Sequence, residues 1–238
     1  MAKNFLQAEW RKLAMANYVV DPAVLKAHVP YGTELDFWNG RCYASLVGFR
    51  FIETRMLGMR IPFHADFEEV NLRFYVRFRE GSVWKRGVVF ISEIVPLPAL
   101  SLVANLVYGE HYETMPMRHR WTTTAEDLTV EYRWKKKSWN TFSVVTTAEA
   151  FPILPDSEEE FITEHYWGYT RIAARKTSEY EVVHPRWDVY ETKHYSIDVD
   201  FENIYTPAFG FLKDLTPASV FVAEGSAIAV KQGTVCRY

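Results

Sequence analysis

The clearest regularity in the chain is a two-residue alternation between positions 69 and 78. There Val70, Leu72, Phe74, Val76 and Phe78 oppose Glu69, Asn71, Arg73, Tyr75 and Arg77. A period of two is the mark of a β-strand with one face in a core. Beyond it, the VVFISEI run is set off by Gly81 and Gly87, which predicts an antiparallel hairpin with a loop of moderate length. Upstream, residues 41–51 put Tyr43, Ser45, Val47, Phe49 and Phe51 on one face and Ala44, Leu46, Gly48 and Arg50 on the other. That pattern predicts a strand buried mostly on both sides.

Other segments change period. Asp21 and Pro22 precede Val24, Leu25 and Val29, an N-cap acid and a first-turn proline that predict a short helix ending near Pro30. Residues 98–108 repeat at helical spacing and stop at Gly109, where a C-cap glycine belongs. The runs 128–134 and 140–150 read as strands around a Lys135–Lys137 turn. Ser157 and Glu160 have the spacing of a capping box, which predicts a helix through FITEHYWGY. The last third returns to strands, with Tyr195, Ile197, Val199 and Phe201 alternating before SVFVAEGSAIAVKQG. No repeat or linker divides the chain, so residues 1–238 are expected to form one domain. Strands outnumber helices and many are hairpin-linked, the pattern of a β-rich α+β fold built on an antiparallel sheet or barrel with a few helices.

Composition narrows the partners. Aromatic residues make up 16% of the chain, enough to wall a core or a cavity with rings. A net charge of −3 offers no basic field for phosphates, so nucleic acid is not an expected partner. The longest uncharged stretch, residues 94–109, is broken by Pro96 and Pro98 and falls short of the roughly 20 residues of a membrane span. A membrane is therefore not expected as a partner. Charged residues in the first twelve positions interrupt any signal-peptide core, and two isolated cysteines, Cys42 and Cys236, indicate neither zinc nor a disulfide scaffold. The expected location is cytoplasmic.

Two constellations carry candidate chemistry. The polar strand face of Glu69, Asn71, Arg73, Tyr75 and Arg77 holds acid, amide, guanidinium and phenol groups, able to orient a small polar ligand inside a barrel. A plain solvated face has the same pattern. The second is Glu110, His111, Tyr112, Glu113, Met117, Arg118 and His119, a titratable cluster after the buried helix that is suited to acid and base work or is simply a charged surface loop. His184-Pro185-Arg186-Trp187 reads as a packed corner that could close over a ligand. No metal-ligand spacing, P-loop, dinucleotide fingerprint or nucleophile elbow occurs, so neither metal nor cofactor is expected.

Several stretches resemble the YqjF-like family of uncharacterised bacterial proteins over nearly the whole chain: AEWRKLAMANYVVDPAVLKAHVP, GTELDFWNGRCYASLVGF, FEEVNLRFYV and EVVHPRW. The most specific is F-x-E-x-N-x-R-x-Y-V, supplied by Phe67, Glu69, Asn71, Arg73, Tyr75 and Val76. That family is similar in fold to acetoacetate decarboxylase, which implies a cone-like antiparallel β-barrel with flanking helices and an internal pocket. By the same resemblance Glu69 falls on an active-site strand position. The decarboxylase forms a Schiff base through a lysine after a Gly-Phe-Pro segment, beside a second lysine that depresses its pKa, an enzyme that is itself a standard example of this activation. The stretch resembling that segment is Thr114-Met115-Pro116-Met117-Arg118, and no lysine occurs between Lys85 and Lys135. An arginine stays protonated and is a poor nucleophile.

The sequence thus leads to a binding protein for a small carboxylate- or carbonyl-containing molecule. Its ligand residues are expected among Arg50, Glu69, Asn71, Arg73, Tyr75, Met117 and Arg118. A non-covalent lyase or isomerase with Glu69 or Glu110 as base, and a homo-oligomeric interaction module, are the alternatives.

Overall fold

The computed structural model describes residues 4–108 and 111–237. The chain opens with β1 (Asn4–Val19), α1 (Pro22–Leu25), β2 (Thr33–Leu35), β3 (Tyr43–Met56) and β4 (Met59–Arg60). The alternating segment is β5 (Phe67–Glu80), followed by β6 (Val83–Val95), α2 (Pro98–Tyr108), β7 (Tyr112–Thr114) and β8 (Met117–Thr123). Next come β9 (Asp127–Lys135), β10 (Trp139–Pro152), α3 (Glu158–Thr163), β11 (Trp167–Ala173) and β12 (Lys176–Val183). The chain closes with β13 (Asp188–Asp198), α4 (Phe201–Ile204), β14 (Ser219–Lys231) and β15 (Thr234–Val235).

Seven strands are hydrogen-bonded in the order β12-β11-β6-β5-β3-β1-β14, and β14 pairs back onto β12, so the path returns on itself as a ring. From β14 the sheet continues through β13, β10, β9 and β8. Pairing is antiparallel except between β6 and β11 and between β6 and β7, which run parallel. The parallel contact needs Gly87: a Cβ there would lie 2.4 Å from the Trp167 carbonyl oxygen, so a side chain would push β11 away from the ring.

The alternation of β5 divides two cores. Val70, Leu72, Phe74, Val76 and Phe78 point outward and pack with Val130, Tyr132, Trp134, Phe142 and Val144 of β9 and β10. Inside the ring lie Leu13, Met15, Val47, Phe49, Phe51 and Phe67, with Phe161 and Ile162 of α3 beside them.

Local signals were obeyed where a cap or turn fixed them. Asp21 accepts a hydrogen bond from the Ala23 amide at the start of α1, and Ser157 accepts from Glu160 N at the start of α3. Four expectations need correction. The β5–β6 loop is only Gly81 and Ser82, with Gly81 at φ +59°, and Gly87 lies within β6. The helix after Ser157 stops at Thr163, because Trp167–Ala173 is drawn into the ring as β11. Phe201 opens α4 behind the Asp200 cap and does not extend β13. The cluster after α2 is not a surface loop, since Tyr112–Thr114 and Met117–Thr123 are strands. Gly109 and Glu110 lie outside the described residues. None of the described helices is long and apolar enough to cross a membrane.

Candidate functional site

Inside the ring is a cavity of about 270 Å³, close to the lower end of the roughly 300–1,000 Å³ typical of ligand pockets. One wall is β5. Its inward residues Phe67, Glu69, Asn71 and Arg73 line the cavity in succession, as a period of two requires. The adjoining wall comes from β3, where Phe51 pairs with Phe67 and Phe49 with Glu69, and from β1 beside it. A bulge re-aims β1: Lys12 has φ 54° and the register with β3 shifts between Arg11 and Ala14. Trp10 and Leu13 therefore both reach the cavity, although a regular strand would send them to opposite faces.

The polar groups form a short ladder. Glu69 and Asn71 are 2% and 1% exposed. Asn71 Nδ2 donates to Glu69 Oε1 at 3.0 Å, and the Tyr112 hydroxyl donates to Glu69 Oε2 at 3.2 Å. Glu93, opposite Asn71 in the β5–β6 register, lines the same end. Burial raises the Glu69 pKa to about 7, against the opposing effects of Asn71, Tyr112 and the Arg73 charge. Burial, together with Glu69 and Glu93, raises the Tyr112 phenol well above its usual range. A carboxyl poised near neutrality beside a protonated phenol can donate or accept a proton.

Arg73 follows, half-buried, with Nη2 3.5 Å from the Ile162 carbonyl and with Nε buried and unpaired. No carboxylate lies within ion-pair distance of it among the described residues. Next to it is His165, whose side chain is 1% exposed. Its Nε2 sits 3.2 Å from Asp36 Oδ2, and the same oxygen accepts from Arg86 Nε at 2.6 Å. Burial lowers the His165 pKa to about 4. Burial alone would raise Asp36, but the hydrogen bonds from His165 and Arg86 hold it at about 2. The imidazole is thus neutral and donates its Nε2–H to the Asp36 carboxylate, which leaves Nδ1 as a buried acceptor with no partner.

Of the residues expected from sequence, Glu69, Asn71 and Arg73 meet in the cavity. Tyr75 shares their face but is committed elsewhere: its hydroxyl is 2.7 Å from Ser45 Oγ, and its ring packs on His165 and Phe161. Arg50 points to the opposite face of β3, with its guanidinium 5.9 Å from the Trp121 ring, because the cavity face is the one carrying Phe49 and Phe51. Met117 packs against the outer core, and Arg118 is exposed over the Trp139 ring at 4.9 Å. Neither lines the cavity. The segment after α2 instead enters through Tyr112, five residues earlier. His184 stacks on Trp187 at 4.1 Å, and both rings form part of the wall. Glu93 and His165 were missed. The available signals were a lone acid in the apolar run of β6 and a histidine just past a capped helix. Among the described residues no three His, Cys, Asp or Glu side chains gather as a metal site would require.

Solved structures share this architecture. The acetoacetate decarboxylase of Legionella pneumophila superposes with a TM-score of 0.67 at 12% identity, covering 99% of this chain and 88% of that one. The enduracididine biosynthesis enzyme MppR, complexed with pyruvate, gives 0.70 at 13% identity over 99% and 91%. At the sequence level, the uncharacterized protein YqjF of Bacillus subtilis (strain 168) is 27% identical over 180 residues, 75% of this chain and 72% of YqjF. Residues 7–227 match the family described as DUF2071, uncharacterized conserved protein, and the chain belongs to that family.

Proposed function

We propose that the chain binds a small carboxylate- or carbonyl-containing molecule inside a cone-shaped barrel formed by the strand ring, without Schiff-base chemistry. The observation that carries this reading is Arg73: a half-buried guanidinium with no carboxylate partner among the described residues, facing a cavity walled largely by rings. A charge so placed is costly to desolvate unless a counterion joins it, and a guanidinium fork matches a carboxylate. No lysine stands among the described residues that line the cavity. Where the decarboxylase resemblance would put an amine, the chain has Met117 and Arg118, which do not line the cavity and cannot condense with a carbonyl. MppR, which shares the fold, was solved with pyruvate, and a 2-oxo acid carries both groups that this site would recognise.

A specific observation favours a second reading, non-covalent proton transfer. Glu69 is held near neutrality and shares its hydrogen bonds with Tyr112 and Asn71, as a general acid or base at an enolisable carbon would need. The two readings separate on one pair of variants. Arg73→Met should weaken carboxylate binding about tenfold to a hundredfold, read as a smaller ligand-induced rise in melting temperature. Glu69→Gln should retain binding, and would abolish turnover of any substrate found in a metabolite screen. Unchanged carboxylate binding by Arg73→Met would remove the proposal.

A further inference from the structure

Strand register sets the length of the ligand. Phe67, Phe51 and Trp10 are paired across three neighbouring strands, Phe67 to Phe51 and Phe51 to Trp10, and so form one level of the cavity. Glu69 lies two residues further along β5 and Arg73 six, which at about 3.3 Å per residue is roughly 20 Å from ring level to arginine. Even with Arg73 extended toward Glu69, on which its charge acts, the rings lie one further strand pair away, about 7 Å beyond Glu69. A three- or four-carbon acid held by Arg73 leaves that level untouched.

The level itself is built of fixed rings. Phe51 stacks on Phe67 with centroids 4.6 Å apart and planes at 18°, and Trp10 meets Phe51 edge-on at 5.7 Å and 85°. Aromatic groups gain by continuing such an edge-and-face array. Met56 is the one methionine among the described lining residues, so this end has little of the adaptability with which methionine-rich pockets accept varied chains. Glu69, Asn71, Glu93, Tyr112 and Arg73 form one group of polar lining residues on β5, β6 and β7, and further polar residues, His64 and His165 among them, line other parts of the wall. The lining residues of the adjoining strands β3 and β1 are mostly apolar, Leu6, Trp10, Phe49 and Phe51 among them.

We infer that the ligand is an aryl-bearing carboxylic acid, with its carboxylate on Arg73 and its ring at the level of Trp10, Phe51 and Phe67. This rests on the anion-pocket reading above and adds the class of molecule. The cavity volume of about 270 Å³ fits a single ring on a short chain.

The test is calorimetric titration of the whole chain with 3-phenylpropanoate, propanoate, octanoate and 3-phenylpropanamide. Burial of a phenyl group against this wall should make 3-phenylpropanoate bind at least about tenfold more tightly than propanoate. The amide should lose most of that affinity, and Phe51→Leu should bring the ratio between the two acids toward one. Should Phe51→Leu fail to fold, Leu6→Ser, at a half-buried lining position, reports on the same end. Equal binding of propanoate and 3-phenylpropanoate, with the amide still weak, would overturn the aryl assignment and leave the anion pocket standing. Octanoate matching or exceeding 3-phenylpropanoate would overturn it in favour of an acyl chain. Failure of every acid, or an amide as tight as its acid, would overturn the anion pocket and the aryl assignment together.

Discussion

The two faces of β5 are made by one alternating run of residues, yet they meet different fates. Outward, Val70, Leu72, Phe74 and Val76 are fully buried against β9 and β10 and leave no lining for a cavity. Inward, Glu69 and Asn71 are almost as inaccessible, but they border open space and hold polar groups that only hydrogen bonds keep from being costly. Burial therefore does not distinguish core from site here. What distinguishes them is whether the buried surface is matched by protein atoms on the other side. The outward face stabilises the fold, and the inward face leaves unmatched surface where the proposed ligand would sit.

This contrast is sharpest where a side chain is removed. Phe74→Ala should destabilise the protein by about 3–5 kcal/mol, because the close-packed outer core cannot collapse into the gap. Chemical denaturation measures it, and a cost below about 1 kcal/mol would mean that the outer face is not the filled one. The next effect depends on pH. The folded pKa of Glu69, about 7, lies above its ordinary 4.5, so the folded chain holds a proton that the unfolded chain releases between those values. The stability tied to that proton is complete below about pH 4.5 and is lost as pH rises through 7, by up to about 3 kcal/mol. Glu69→Gln should remove that slope, seen as a smaller difference in unfolding free energy between pH 5 and pH 8 than in the unmodified protein. Arg73→Met follows: carboxylate affinity should fall about tenfold to a hundredfold while stability shifts by less than about 1 kcal/mol. A large loss of stability would make Arg73 a structural residue. Arg118→Ala should be smallest, under about 0.5 kcal/mol in stability and without effect on binding, since the side chain only covers the Trp139 ring.

Much of this could be read from residues in advance. The period of two named both faces of β5, and the capping residues Asp21 and Ser157 marked true helix starts. Periodicity could not say which face borders a cavity, because that depends on how the ring closes. Arg50 illustrates the point. It was already assigned to the face opposite Phe49, and only the pairing of Phe49 with Glu69 makes that the side away from the cavity. Met117 and Arg118 lie off the cavity for a different reason: the run after α2 adds β7 beside β6, so the chain meets the cavity at Tyr112 and has left it by residue 117. Glu93 and His165 come from strands and turns remote in sequence, and their meeting with β5 is a property of topology that no local window contains. The helix after Ser157 was overextended because Trp167–Ala173 gains more from pairing with β12 than from helix propensity, a tertiary override of local preference.

The ring joins β1 to β14 from Asn4 opposite Lys231 through Asn17 opposite Ser219, so partners more than two hundred positions apart must find each other before the ring can close. Such distant pairing slows folding. During synthesis β1 emerges about two hundred residues before β14 and waits, with one edge unpaired, until that strand follows. Trp10 and Leu13 belong to that strand, so the cavity is among the last parts of the molecule to be completed. A nascent chain stalled short of residue 219 would present an open β-edge for aggregation, and its cavity would not be closed.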